Sequence, residues 1–522
     1  MKLPYEQADA ILARMTTEQK IGQMIMASIE VTQMDDRTRT FLRENCVGNV
    51  ILFGKNCVNR GQLARLNRQI QQEVSAATGV QALLSIDQEG GSVTRIRNGA
   101  TVFSSAAAVG QTGDPDLAYL AGHIMGHEMR ALGIAFNLAP VLDTNGIHNG
   151  MIPTRRSYGP TAQETALYGG AYARGLRDSG VIDCGKHFPG SGDSTVDTHF
   201  ATSIVNTPAQ ELIEKSVRPF QKVIGEGLRA IMTSHNCYVN LDREQIPATL
   251  SKTILQDLVR GELGFEGLII SDGMQMLAIA DVYGAPQGCV MAAEAGCDLV
   301  IVGNGGDNAD PDGEDVQTPC IRAMVRAVET GELSMERVNE SARRIIAFKL
   351  MLGDMNPEPD VEKRDWRTHE AFSNALAEMA VKVHRQDEGV LPLPKGALFL
   401  CRKSRARLGV EEGDRLVEGF APMAARLCEG EAVEFADRPD LKALEERIVS
   451  APAVVFGVAN HWELEELLED VKAVCALNGR TCFVNLDVPE AAQPAMFAPC
   501  VISSYDQTVG AIRAVCKVLR GK

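Results

Sequence analysis

No apolar run in this 522-residue chain approaches the roughly 18 residues that a helical membrane span needs. The opening stretch MKLPYEQADAILARMTTEQK carries acids early and lacks the apolar core of a secretory signal. An excess of positive charge is also missing: 52 lysines and arginines stand against 68 aspartates and glutamates, for a net charge of −16. That balance argues against sequence-independent nucleic-acid binding, which needs a basic surface to displace counterions, and against docking on anionic lipid. The thirteen cysteines are scattered, odd in number and form no CxxC pair; most lie in apolar contexts such as AGCDLV around Cys297 and TCFVNL around Cys482. They read as reduced, buried thiols. These absences point to a cytoplasmic protein with neither nucleic acid nor membrane as partner, and to a small uncharged or modestly charged substrate.

What is present is ordinary globular composition, 45% hydrophobic and 23% charged, in a chain long enough for two or three domains. Eight short apolar, often β-branched runs recur near 21–27, 49–53, 82–86, 134–142, 181–184, 230–233, 268–270 and 298–302. Helix-like segments lie between most of them, at 61–76, 115–132, 162–179, 208–226, 252–262 and 285–295, with start signals such as Ser251 and Thr207–Pro208. The alternation predicts an α/β fold. A (β/α)8 barrel and a doubly wound sheet share it.

The run ends are more telling. Asp87-Gln88-Glu89 follows ALLSI, Asp143 follows LAPVL, Lys186 and His187 follow VIDCG, His235 follows AIMTS, and Asp272 follows LIIS. In a barrel those ends share one face and would converge; in a doubly wound sheet they would spread along a crevice. After a helix at 337–353 the pattern breaks into a polar, proline-containing stretch, a further helical segment and VLPLPKG. The expected division is a catalytic barrel domain at 1–353, a linker and connecting helix at 354–385, and a smaller α/β domain at 386–522. His461, beside Trp462, reads as the start of a surface helix.

The densest polar segment is KHFPGSGDSTVDTH, Lys186–His199, read as a loop beyond a strand. In it Asp197 stands two residues before His199, a spacing that lets a carboxylate fix an imidazole tautomer while the other nitrogen delivers a proton. Asp272, in ISDGMQM, is an acid held at a buried strand end, as a carboxylate nucleophile requires, although Ser-Asp-Gly alone favours a helix cap. Asp87 and Arg95, in DQEGGSVTR, offer the acceptor and donor mixture that sugar hydroxyls ask for, or a salt bridge bracing their loop. Three lures fail. His123 and His127 read HIMGH and lack the glutamate of HExxH. DNADPDGED, 307–315, misses the calcium-loop positions. VGNGG, 302–306, lacks the order of a phosphate loop.

In ordered series, MTTEQKIGQMIM, LFGKN, SIDQEGGSVTRI, NLAPVLD, RSYG, KHFPGSGDSTVDTH, IMTSHNCY, IPATLSK, LGFEGLIISDGMQM and ARRIIAFKLMLG resemble glycoside hydrolase family 3, in particular its bacterial β-N-acetylglucosaminidases. The resemblance covers about the first 355 residues, and LPLP near 391 resembles the entry to the family's second domain, an α/β sandwich. It implies a TIM-like (β/α)8 barrel followed by that sandwich and retaining exo-hydrolysis of terminal β-linked N-acetylglucosamine, from peptidoglycan fragments in wall recycling. By the same resemblance Asp272 is the nucleophile, His199 the acid/base and Asp197 its orienting partner. Asp87, Arg95, Arg156, Lys186 and His187 bind the terminal sugar. No metal and no cofactor are implied, and the partner is a small carbohydrate.

Ser92, Ser191 and Gly273 depart from the family pattern, as does the missing Asn-Pro before RSYG; leaving-group contacts are expected to differ. Other readings remain open: another sugar preference, phosphorolysis to a sugar 1-phosphate, a non-catalytic sugar-binding protein, or a metal-dependent barrel hydrolase. The family's glucosidases generally take their acid/base from the second domain, whereas Asp197 and His199 lie in the first, which favours the amino sugar.

Overall fold

A computed structural model describes residues 3–144, 154–191, 194, 202–303, 315–403 and 419–522. Eight parallel strands form the first sheet: β1 Ile25–Ser28, β2 Asn49–Leu52, β3 Leu83–Ile86, β4 Phe136–Asn137, β5 Cys184–Phe188, β6 Ala230–Thr233, β7 Leu268–Gly273 and β8 Leu299–Val302. Their order is β4-β3-β2-β1-β8-β7-β6-β5. Parallel bridges Phe136 to Ile182 and Val141 to Lys186 close the seam between β4 and β5, so the sheet is a barrel rather than an open doubly wound sheet. Its strands are buried on both faces, which is why they read as continuous apolar runs.

Helices alternate with these strands, and polar residues set where they start. Asn59 caps Arg60–Thr78 through the Gln62 N–H, and Thr161 with Glu164 forms a reciprocal cap on Ala162–Asp178. The first strand starts later than the apolar run at 21–27 predicts: residues 21–24 belong to helix Thr17–Met24, begun by a Thr16–Gln19 cap. The run at 134–142 is regular only at Phe136–Asn137, because Pro140 has no N–H to give a ladder.

The second sheet contains β9 Lys382–Gln386, β10 Leu398–Arg402, β11 Glu431–Phe435, β12 Val454–Val458, β13 Thr481–Asn485 and β14 Cys500–Ser503, in the order β9-β14-β13-β12-β10-β11. Only β9 runs antiparallel to its neighbour. Helices Phe420–Cys428 and Val509–Leu519 cover one face, and Leu441–Ser450 and His461–Leu477 the other, giving an α/β sandwich with a core on each side. The strands at both edges, β9 (KVHRQ) and β11 (EAVEF), escaped the sequence reading because edge strands face water and carry polar side chains. β9 begins within the segment read as a connector at 354–385. His461 opens its helix behind the cap residue Asn460, whose side chain accepts the Glu463 N–H.

Candidate active site

Because all eight barrel strands run the same way, their carboxyl ends share one rim. Asp87 follows β3, Asp143 follows β4, Lys186 and His187 lie on β5, His235 follows β6, and Asp272 is the penultimate residue of β7. The placement of Lys186 and His187 corrects the loop expected from the sequence: the strand continues through KHF, and only the residues beyond Phe188 leave it. Asp197 and His199 lie outside the described residues.

The loop after β3 is built around Gln88. Asn137 pairs with its backbone, accepting the Gln88 N–H at 3.0 Å and donating to its carbonyl at 2.8 Å, and the Tyr172 hydroxyl donates to the same carbonyl. The Gln88 side-chain oxygen accepts the N–H groups of Arg95 and Ile96 at 2.9 and 3.1 Å, which folds DQEGGSVTRI back on itself. Gly90 turns this loop with φ of 98°, and a Cβ there would lie 2.5 Å from the Ser104 carbonyl oxygen. Asp87 and Glu89 flank the pinned residue. With extended backbone between them they point the same way, and both reach one cation: Lys186 Nζ lies 2.6 Å from Asp87 Oδ1 and 2.6 Å from Glu89 Oε1.

Glu89 holds a second cation as well. Arg156 Nε and Nη2 donate to its two oxygens at 2.8 and 2.7 Å, a bidentate fork. All four side chains are buried. Burial alone would push the Glu89 carboxyl up, but the charges of Arg156 and Lys186 outweigh it and hold the group well below the usual carboxylate range. Burial opposes the Lys186 charge in the same way, yet Asp87 and Glu89 raise its proton affinity above that of an ordinary lysine. Arg95 lies 3.9 Å from Asp87 Oδ2, so the expected ion pair exists but is long; Gln88 does the bracing.

His187 adds an imidazole whose Nδ1 lies 2.8 Å from Asp143 Oδ2, while the same oxygen accepts the His187 backbone N–H at 3.0 Å. Asp143 thereby fixes the ring and leaves Nε2 for another partner. Its other oxygen, Oδ1, is buried without a hydrogen-bond partner among the described residues. On β7, Asp272 Oδ1 accepts the N–H of Gly273 at 2.7 Å. The next helix begins at Leu277 without a side-chain cap, so Asp272 is not its cap. His235 supports this strand end: its Nε2 lies 3.0 Å from the Gly273 carbonyl, which only accepts, so that nitrogen carries the proton.

Glu89, Asp143 and His235 stood in the sequence at strand ends without an assigned role. The signal for Glu89 was its i, i+2 relation to Asp87. His123 and His127 lie on helix Pro115–Ala131, where His123 stacks on Tyr119 and His127 meets His369 edge-on. The stretch 307–314 of DNADPDGED and 304–306 of VGNGG fall outside the described residues.

A parallel barrel whose strand ends gather carboxylates, imidazoles and cations defines a barrel enzyme. The model of the glycosyl hydrolase family 3 N-terminal domain matches residues 16–348, and the chain belongs to that family. A β-hexosaminidase of Nitrosomonas eutropha is 34% identical over 319 residues, 60% of this chain and 88% of that protein. A solved glycoside hydrolase family 3 β-N-acetylglucosaminidase from Paenibacillus sp. strain FPU-7 superposes with a TM-score of 0.88 at 31% identity, covering 97% of both chains. A β-N-acetylhexosaminidase from Beutenbergia cavernae has a TM-score of 0.58 at 30% identity, covering 65% of this chain and 99% of its own.

Proposed function

We propose that this protein is a retaining exo-β-N-acetylglucosaminidase that removes terminal β-linked N-acetylglucosamine. The observation that carries the reading is the shared rim: Asp272 stands on the same barrel face as the cluster of Asp87, Lys186, Glu89, Arg156 and His187. The name of the Nitrosomonas relative supplies the hexosamine class, and that of the Paenibacillus relative the N-acetylglucosamine.

In this reading the Asp272 carboxylate attacks the anomeric carbon and the bond to the aglycone oxygen breaks. His199, oriented by Asp197, gives that oxygen its proton. Water then attacks the glycosyl-enzyme ester, passing a proton back to His199 and releasing Asp272. Asp87 accepts from sugar hydroxyls, as does the free Nε2 of His187, whose Nδ1 gives its proton to Asp143, while Arg95, Arg156 and Lys186 donate. The chemistry uses protein groups alone. We further read the natural substrate as peptidoglycan fragments, on the sequence resemblance, and the compartment as the cytoplasm, on the scattered cysteines and the opening stretch without an apolar signal core. Among the described residues no helix is long and apolar enough to cross a membrane.

The test is turnover of chromogenic β-N-acetylglucosaminide, β-glucoside and β-xyloside by wild type, Asp272→Ala and His199→Ala. Each substitution is expected to cost about 10²-fold or more on the amino sugar. Equal turnover by wild type and Asp272→Ala discards the mechanism. Sugar 1-phosphate formed in phosphate buffer replaces hydrolysis by phosphorolysis.

A further inference from the structure

The short turn Thr154–Arg156 joins two regions that are remote in the chain. Arg156 faces the rim and grips Glu89. Arg155, one residue earlier and equally buried, faces the second domain: its Nη1 donates to the Ala459 carbonyl at 3.3 Å, and its charge acts on the buried Asp506 carboxylate. Asp506 Oδ2 also accepts the backbone N–H of Ser105 at 2.8 Å, and the Ser105 hydroxyl donates to the Tyr505 carbonyl at 2.7 Å. Beyond Ser105, Ala107 and Ala108 pack against Val488, Ala491 and Tyr505.

The second-domain groups share one origin. Ala459 follows β12, Val488 lies just past β13, and Tyr505 and Asp506 follow β14. These are the carboxyl ends of adjacent parallel strands, the edge where an open α/β sheet ordinarily receives a ligand. Here that edge holds barrel residues. The helix it grips, Ala106–Gln111, lies against the turn region so closely that a Cβ on Gly110 would sit 1.9 Å from the Tyr158 carbonyl oxygen.

We infer that the second domain is a positioning element for the sugar-binding arginine: it fastens Arg155 and thereby sets the backbone from which Arg156 reaches Glu89 and the substrate. The inference rests on the function proposed above. A single 3₁₀ turn has few hydrogen bonds of its own and takes its geometry from what its side chains hold. On one side Arg156 and Ser157 are tied to the barrel, the latter through its hydroxyl to the Asp143 carbonyl at 2.9 Å; on the other, Arg155 is tied to the sandwich. Misplacing a binding group by a fraction of an ångström weakens substrate before it weakens the fold.

The experiment measures KM and kcat of the full chain on chromogenic β-N-acetylglucosaminide for Arg155→Ala, Arg155→Lys and Asp506→Asn, with thermal melts alongside. Arg155→Ala is expected to raise KM about 5- to 10-fold with kcat within about 2-fold, since uniform binding is what it removes. Arg155→Lys, which keeps a donor and the charge, recovers most of that loss. Asp506→Asn shifts KM in the same direction from the opposite domain, so the coupling can be read even where Arg155→Ala folds poorly. Adding Arg155→Ala to Arg156→Ala raises KM no further, because both act through one side chain. An unchanged KM in Arg155→Ala and Asp506→Asn, or fully additive effects in the double variant, overturns the inference. A wild type without turnover on the glycoside overturns the functional reading instead.

Discussion

The two ends of the barrel carry ion networks of opposite design. At the amino-terminal end, Asp298 directly precedes β8 and its carboxylate is fully saturated. It accepts from Arg260, Arg337, Arg344, the Ser341 hydroxyl and the Ile269 N–H, all within 2.6–3.0 Å. Burial would raise its pKa, but the three guanidiniums outweigh that and hold it far below the ordinary range. At the carboxyl-terminal end the groups are equally buried yet incompletely engaged. Among the described residues Asp143 Oδ1 has no partner, Lys186 gives two of its three protons, and Arg156 gives one edge of its guanidinium. A carboxylate with every lone pair taken can only hold the fold; a cluster with spare donors and acceptors can hold a ligand.

That contrast can be broken by mutation. Asp298→Ala strands three half-buried arginines around a fully buried site and is expected to cost about 3–5 kcal/mol in denaturant unfolding, with KM of the folded fraction unchanged. Because the folded-state pKa of Asp298 is depressed, its contribution is present above the ordinary carboxylate range and drains away as the pH falls through and below it. Loss of substrate affinity without loss of stability would reverse the roles of the two ends. Glu89→Gln keeps the shape but removes the charge between two cations. We expect kcat/KM to fall about 10-fold or more, with a smaller effect on the melt than Asp298→Ala. A larger loss of stability than of activity would make the upper network structural as well.

A third arrangement is a buried cation with neutral partners. Lys349 donates to the Gln23 side-chain oxygen at 2.7 Å and to the Gly48 carbonyl at 2.9 Å, and burial pulls its pKa down to about 7. Between that value and the ordinary lysine range the unfolded chain binds more protons than the folded one. Stability should therefore rise with pH through this window, by at most about 1.4 kcal/mol per unit. Lys349→Met should flatten the rise, as read from urea midpoints at pH 7 and 9; an unaltered slope would place the titrating group elsewhere.

Much of the fold was legible because its strands are buried on both sides and read as plain apolar runs; β2, β3, β6 and β8 fall within a residue of their expected bounds. Failures came where that signal is absent: the edge strands β9 and β11, the helix that absorbs Ile21, and Pro140 within the fourth run. The candidate site was partly legible for a related reason. Asp87, Lys186, His187 and Asp272 each follow or end an apolar run, and a parallel barrel sends all such ends to one rim. Glu89 and Asp143 stood at the same ends, but their roles depend on partners 67 and 44 residues away.

The chain by itself determined the class of fold, the family and the rim to which its ionisable residues belong, because periodicity and strand-end position are local properties of the sequence. Only the tertiary structure decided that Glu89 joins two cations and that neighbouring Arg155 and Arg156 serve different domains. Those facts depend on charges meeting across long loops in a dry interior, where proximity rather than spacing sets the energy.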